Sequence, residues 1–160
     1  MTPYEELLSK AEKLGIKIRE HDFGADNECG YYCDNKILIN SRITENQKHG
    51  VLAEEIGHHF KTLGDITDQT ETLNIKQERI ARRKGYEFLL QPIDLIYAYR
   101  CGCKDLYEIS DFFSITIDKL TEIINDFKLQ YGLGKKFDKY FIIFEPTLGF
   151  YEILNENYIY

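Results

Sequence analysis

Positive charge is in short supply: 20 Lys and Arg stand against 27 Asp and Glu, a formal net charge of −7. That deficit argues against a protein whose main task is coating nucleic acid or an anionic membrane, local patches aside. Long apolar runs are missing too, and none approaches the roughly 18 residues that a transmembrane helix needs. The opening Met-Thr-Pro-Tyr-Glu-Glu has neither a basic n-region nor an apolar h-region, so no signal peptide is expected. Tryptophan is absent, and the aromatic content comes from 12 Tyr and 10 Phe. The four cysteines (Cys29, Cys33, Cys101, Cys103) lack the C-x-x-C spacing of a zinc knuckle or redox motif, so free thiols are expected. Neither an internal repeat nor a low-complexity run is present. A soluble, cytoplasmic chain of 160 residues is expected, one domain or one domain with an appended segment.

What is present is mostly helical patterning with a few short strands. Residues 3–14 carry Tyr4, Leu7, Leu8, Ala11 and Leu14 at helical spacing and end at Gly15, a C-cap candidate. Residues 16–20 alternate as a short strand, and residues 31–40, with Ile37-Leu38-Ile39, read as a strand after the Asp34-Asn35 turn signal. Thr44 and Gln47 fit a capping box that opens a helix running to about Gly64. A polar loop over 65–72 precedes a second long helix over 73–90, which must end near Gln91 because Pro92 biases that residue away from helical dihedrals. Shorter helices follow over 93–99, 106–113 and 117–129. Residues 140–144 and 150–154 read as a hairpin.

Chemistry concentrates in residues 50–60, Gly-Val-Leu-Ala-Glu-Glu-Ile-Gly-His-His-Phe. Against the zinc-peptidase pattern H-E-x-x-H this run fits everywhere except the first position, where Glu54 replaces histidine. Glu55 then holds the general-base position and His58 that of the second ligand, with Gly57 fixing the frame. A shifted frame pairs Glu55 with His59. Residues i and i+4 lie one above the other on a helix, so Glu54 and His58 can aim two donor atoms at one ion. Glu55 sits about 100° round the helix beside them. Leu52, Ile56 and Phe60 form the apolar stripe on nearly the opposite side, so the Glu54/His58 side is equally the place for a solvated face. His49 and His59 are expected to be structural or exposed. A catalytic zinc takes three protein ligands, and the best third is Glu78, with Asp65 and Asp68 as alternatives. The bland reading of Glu78 is a salt bridge to Arg82.

Several blocks occur in order: Gly30-Tyr-Tyr, Ile37-Leu-Ile-Asn40, Val51-Leu-Ala-Glu-Glu-Ile-Gly-His-His59, Gly64-Asp65-Ile66 and Asp68-Gln69. Then come Gln77-Glu78-x-x-Ala81-Arg82-Arg83-x-x-Tyr86-Glu87, Pro92, and Tyr107-Glu-Ile-Ser-Asp-Phe-Phe113. Together they resemble the ImmA/IrrE family of metallopeptidases, in its phage and mobile-element branch, over residues 31–131. Branches of that family are similar in carrying Ala-Glu-Glu-x-Gly-His. The chain departs from the family at Lys84-Gly85, where Trp-Ala is common. The resemblance implies Zn2+ as cofactor, His58 as a ligand, Glu55 as general base and Glu78 as the downstream acidic ligand. Glu54 as a further ligand is an inference from the helix spacing. It also implies cleavage of a regulator, a helix-turn-helix repressor bound partly as an added strand. Residues Ile37, Leu38, Ile39 and Asn40 are placed to offer that edge, or else form an ordinary core strand.

The fold expected is α+β: a small sheet packed on a helical core with a zincin-like active-site helix. Residues 1–92 would form the metallopeptidase-like core, 93–131 a helix-turn-helix-like segment, and 132–160 a C-terminal β-hairpin. The leading function is a zinc-dependent endopeptidase acting on a repressor. A regulator of the same fold that binds without cutting is the second reading, and a DNA-binding module the third. That third reading is disfavoured because Asp118 and Glu122 lie at the N-terminal end of the helix that would read DNA.

Overall fold

The computed structural model describes residues 1–25, 27, 29–62 and 71–154. They form an α+β fold in two compact units, Met1–Leu89 with Phe113–Thr116, and Leu90–Phe112 with Ile117–Tyr160.

The first unit starts with α1 (Pro3–Lys13). Thr2 caps it, accepting from Glu5 N–H at 3.2 Å while the Glu5 carboxylate accepts from Thr2 N–H at 2.8 Å. Such a box stabilises a helix by about 1 kcal/mol. At the far end Gly15 takes φ 83, and Ile16 N–H reaches back to Ala11 C=O at 3.2 Å, closing a Schellman turn. The chain then enters β1 (Lys17–His21), crosses to β2 (Gly30–Cys33), and returns through the Asp34-Asn35 turn into β3 (Lys36–Asn40). Both turn residues have positive φ, 47° and 60°, as a two-residue hairpin requires.

The strand order is β1-β3-β2, with β1 parallel and β2 antiparallel to β3. The expectation that residues 37–40 offer an open edge is therefore corrected. Ile37, Leu38, Ile39 and Asn40 are paired with β1 on one side, and all but Asn40 with β2 on the other. Ile37 and Ile39 are fully buried. Asn40 is buried for a separate reason. Its Nδ2 donates to Gly24 C=O at 2.9 Å and its Oδ1 accepts from Arg42 N–H at 3.2 Å, pinning the crossing loop over the end of β3.

Two long helices, α2 (Glu45–Thr62) and α3 (Glu71–Glu87), complete this unit. The Thr44–Gln47 capping box opens α2, with reciprocal bonds of 3.2 and 2.8 Å. Leu52 and Ile56 are fully buried, each stabilising the fold by about 1.5–3 kcal/mol. Polar contacts join three elements where Glu20 of β1 accepts from Tyr4 OH (3.0 Å) and Lys48 Nζ (2.7 Å). The second long helix stops at Glu87, earlier than Pro92 requires, and Phe88 and Leu89 close its last turn with bonds to Gly85 and Tyr86.

The second unit holds α4 (Pro92–Arg100), α5 (Leu106–Phe112), α6 (Ile117–Tyr131) and the strands β4 (Gly134–Phe137), β5 (Tyr140–Ile143) and β6 (Gly149–Glu152). The three strands form an antiparallel meander in which the expected hairpin is β5–β6 and β4 is added. Lys135 and Lys136 interrupt the apolar alternation of β4, so its pattern reads as loop. Its place is held by Asp138 at φ 53 in the turn and by Phe137, which meets Tyr131 edge to face at 5.4 Å. Among the described residues no helix is long and apolar enough to cross a membrane.

His49 on α2 is buried, and its Nδ1 lies 2.9 Å from Ser114 C=O. A carbonyl only accepts, so Nδ1 carries the proton and donates. Burial pushes this imidazole below its ordinary range, against the opposing pull of Ser114, Glu45 and Glu6. The unfolded chain thus takes up the proton first as pH falls. Stability from His49 is complete above about pH 6.5 and drains as pH drops towards the lower folded value. Urea unfolding is expected to show a loss with a slope of up to about 1.4 kcal/mol per pH unit in that window. His49→Gln keeps a donor for Ser114 and is expected to flatten the slope; an unchanged slope rules out this histidine as its source.

Candidate active site

The two long helices approach unusually closely because small residues face one another at the crossing. A Cβ added at Gly57 would collide with the Ala81 carbonyl oxygen and stand 3.1 Å from Gly85 N. Across the crossing, a Cβ at Gly85 would stand 2.7 Å from the Ala53 carbonyl oxygen and 3.3 Å from Glu54 Cα. Ala53 and Gly57 are four apart on α2, Ala81 and Gly85 four apart on α3, so each pair presents one continuous shallow strip. Gly85, a departure from the family pattern, matches a crossing tighter than alanine fits without a shift.

This crossing decides what the side opposite Leu52 and Ile56 sees. Glu54, Glu55 and His58 are all half-buried. The Glu54/His58 side of α2 is therefore not an open solvated face. Glu55 sits next to them, against β2: the position of a Gly30 side chain would be 3.3 Å from Glu55 Oε1. The first obstacle to a side chain there is Val51 Cγ1, so the bare glycine backbone lets α2 lie close to the strand at Val51 and leaves the Glu55 carboxylate beside it.

Glu78, on α3, is half-buried and ion-paired with Lys61 Nζ. That hydrogen bond, with further help from the charges of Lys61, His58 and Arg82, holds its carboxyl below the usual carboxylate range despite some desolvation. The expected partner Arg82 is thus secondary to Lys61. His58 is near enough to Glu78 to contribute to its field, which brings the ends of the expected ligand set towards one another. Among the described residues, however, no three His, Cys, Asp or Glu side chains converge on a common metal position. Asp65 and Asp68 lie outside the described residues.

The remaining histidine has a structural place. His59 is buried, its Nδ1 2.9 Å from Tyr32 OH, with the two rings edge to face at 5.7 Å. Burial lowers its pKa. His59 joins α2 to the sheet, which favours the frame that uses His58. The four cysteines are free thiols. Leu38 and Tyr31 share the sheet face away from α2, since strand side chains alternate. With Phe23, Asn27 and Gly30 they line a hollow of about 400 Å³. Their side of the sheet is the wrong one for Glu55.

A family model described as the IrrE N-terminal-like domain, a peptidase family, matches residues 11–120. The chain belongs to that family. Its fold is also similar to a solved Mycobacterium tuberculosis transcriptional regulator, with a TM-score of 0.59 at 14% identity. That likeness covers 76% of this chain and 40% of the regulator, so the chain spans well under half of that protein, and at this identity it concerns fold alone. No curated protein matches the sequence. The IrrE-like match runs from the end of α1 to the first turn of α6, and thus spans both central helices. Membership supports a metallopeptidase of the ImmA/IrrE kind.

Sequence reasoning missed Lys61, although its position three residues after His58 places it one turn further along α2. It also missed the role of Gly30, whose only signal was its place in a family block.

The crossing predicts a specific sensitivity. Alanine normally stabilises a helix interior by about 1 kcal/mol over glycine. At Gly57 the added methyl meets backbone, which cannot swing aside, so Gly57→Ala is expected to destabilise by about 1–3 kcal/mol in chemical unfolding. A variant as stable as the parent would mean that the helices stand further apart.

Proposed function

We propose that the chain is a zinc-dependent endopeptidase that cleaves a regulatory protein, a repressor of helix-turn-helix type from a phage or mobile element. The observation that carries this reading is the placement of Glu54, Glu55 and His58 on a half-buried helix face, with Glu78 on the helix that crosses it. The donors suit a divalent ion: one imidazole from His58 and carboxylates from Glu54 and Glu78. Zinc held there would supply a Lewis acid to polarise a scissile carbonyl and acidify water. Glu55 is the group to take the proton from the attacking water and return it to the leaving amine. A set with two carboxylates makes zinc less acidic than a set with two histidines.

The substrate edge belongs to β2 in this reading. Asn40 N–H donates to Cys29 C=O at 2.8 Å, and in an antiparallel ladder backbone groups alternate in direction. Gly30 therefore turns its N–H and C=O away from β3, next to the Glu55 carboxylate. Among the described residues no strand pairs with β2 on that side. A peptide added there would run past Glu55.

Lys61 supports a second reading, a regulator that binds a repressor without cutting it. Its ammonium already neutralises Glu78, so a metal ion must displace it. A duplex-binding role is less suited still, since Lys119 on α6 is tied to Glu122 at 2.8 Å.

Zinc content and affinity separate the first two readings. Protein purified without chelator is expected to hold one zinc per chain, lost in His58→Ala and Glu78→Ala. Lys61→Met is expected to bind zinc about tenfold more tightly in a chelator competition, a gain of about 1.4 kcal/mol. Glu55→Gln should retain zinc and lose cleavage of a co-expressed repressor. Absence of zinc in both the parent and Lys61→Met removes the peptidase reading, and cleavage that survives Glu55→Gln removes Glu55 as base.

A further inference from the structure

The second unit contains a groove of about 960 Å³ that the peptidase reading does not use. It lies between the end of α4, the 102–105 loop, the α5–α6 pair and the β5–β6 loop. Ile109, Ile124 and Phe144 give it a buried apolar floor, and Leu148 and Phe150 a half-buried wall. Phe150 stacks on Tyr99 at 4.7 Å, so the wall is a stacked aromatic pair. Its size lies near the upper end of small-molecule sites, which are concave and mostly apolar with a few polar groups.

The polar groups at the groove are mainly cationic. Arg100, Lys104 and Lys128 line it, against Asp105 as the one acidic lining residue. Asp105 is engaged in accepting from Glu108 N–H at 2.9 Å. Lys128 approaches Glu145 only to 3.7 Å, a loose pair. Among the described residues the side chains of Arg100 and Lys104 have no carboxylate partner. Arg100 also stands near enough to Lys139 to repel it electrostatically. Three cations gathered round an apolar groove run against the net charge of −7 for the whole chain.

We propose that this groove binds a small amphipathic organic anion, with an alkyl or aromatic body on the Ile109/Ile124/Phe144 floor and an acidic group held by Arg100, Lys104 and Lys128. Charge complementarity selects an anion, and the floor selects an apolar body. Arg100 supplies the planar fork suited to a carboxylate, sulfonate or phosphate, and the two lysines act as point charges.

Two fluorescent probes of similar ring structure test this on the whole chain: anilinonaphthalene sulfonate, which is anionic, and phenylnaphthylamine, which is uncharged. The sulfonate is expected to bind saturably, one per chain, and more tightly than the amine. Replacing Arg100, Lys104 and Lys128 together by alanine is expected to weaken the sulfonate about tenfold or more and the amine less than about twofold. Leu148→Gln should weaken both. Circular dichroism and the unfolding midpoint of each variant confirm that its fold is kept. Non-saturating binding, or sulfonate affinity unchanged by the triple replacement, overturns the proposal. Self-association that the triple replacement abolishes, without saturable probe binding, overturns it too, because the groove would then be an interface between copies.

Discussion

Backbone contact between α2 and α3 is the constraint on which the candidate site depends. Helices carrying ordinary side chains pack with axes about 8–10 Å apart, and glycines at the contact permit the near end of that range. Here Gly57 and Gly85 sit in each other's path, with Ala53 and Ala81 as their neighbours on the strip. Gly57 thus does more than mark a motif frame. It lets the helix that carries Glu78 lie along the helix that carries Glu54 and His58. A wider crossing would open these carboxylates to solvent and weaken every electrostatic interaction among them.

The same economy of side chain operates on the other flank of α2. Gly30 leaves room for Val51 and, beside it, for the Glu55 carboxylate against β2, while Tyr32, two residues on, reaches the same helix through His59. Strand alternation makes these neighbours on one face of the sheet. A general-base candidate is thereby placed between a strand edge and a helix crossing. The burial of His59 and the exposure of Gly30's backbone on that edge are consequences of a single register.

Much of this was legible in the sequence wherever a local signal sufficed. The Thr44–Gln47 box, the Gly15 terminus and the Asp34-Asn35 turn depend on two to six consecutive residues, and each appears as expected. Strand order did not have that character. Residues 37–39 are the most apolar run of the first sheet and 37–40 the natural guess for an active-site edge, yet apolarity on this scale is the mark of a central strand. Strand β4 was hidden by its lysines. The tight crossing was hidden because Ala53, Gly57, Ala81 and Gly85 carry little hydrophobic signal, though their spacing of four was visible. Glu54, Glu55, His58 and Glu78 could be picked out by spacing and family resemblance; Lys61 could not, since its significance arises only when α3 is brought alongside.

Lys61 changes how the replacement of histidine by Glu54 should be understood. A site with histidines at both helical positions would repel an ammonium group when protonated and offer it no acceptor charge when neutral. Exchanging one imidazole for a carboxylate adds negative charge, which strengthens the pull on any cation, zinc or lysine. The ammonium is tethered, so it competes at high effective concentration and loses less entropy on pairing than a free ion. Zinc has the advantage of several simultaneous bonds, including a coordinate bond to the imidazole nitrogen, to which an ammonium can only donate a hydrogen bond. On the peptidase reading, the balance between one tethered charge and one multidentate ion would set whether the chain cuts or only binds. The extra carboxylate by itself leaves that choice undetermined.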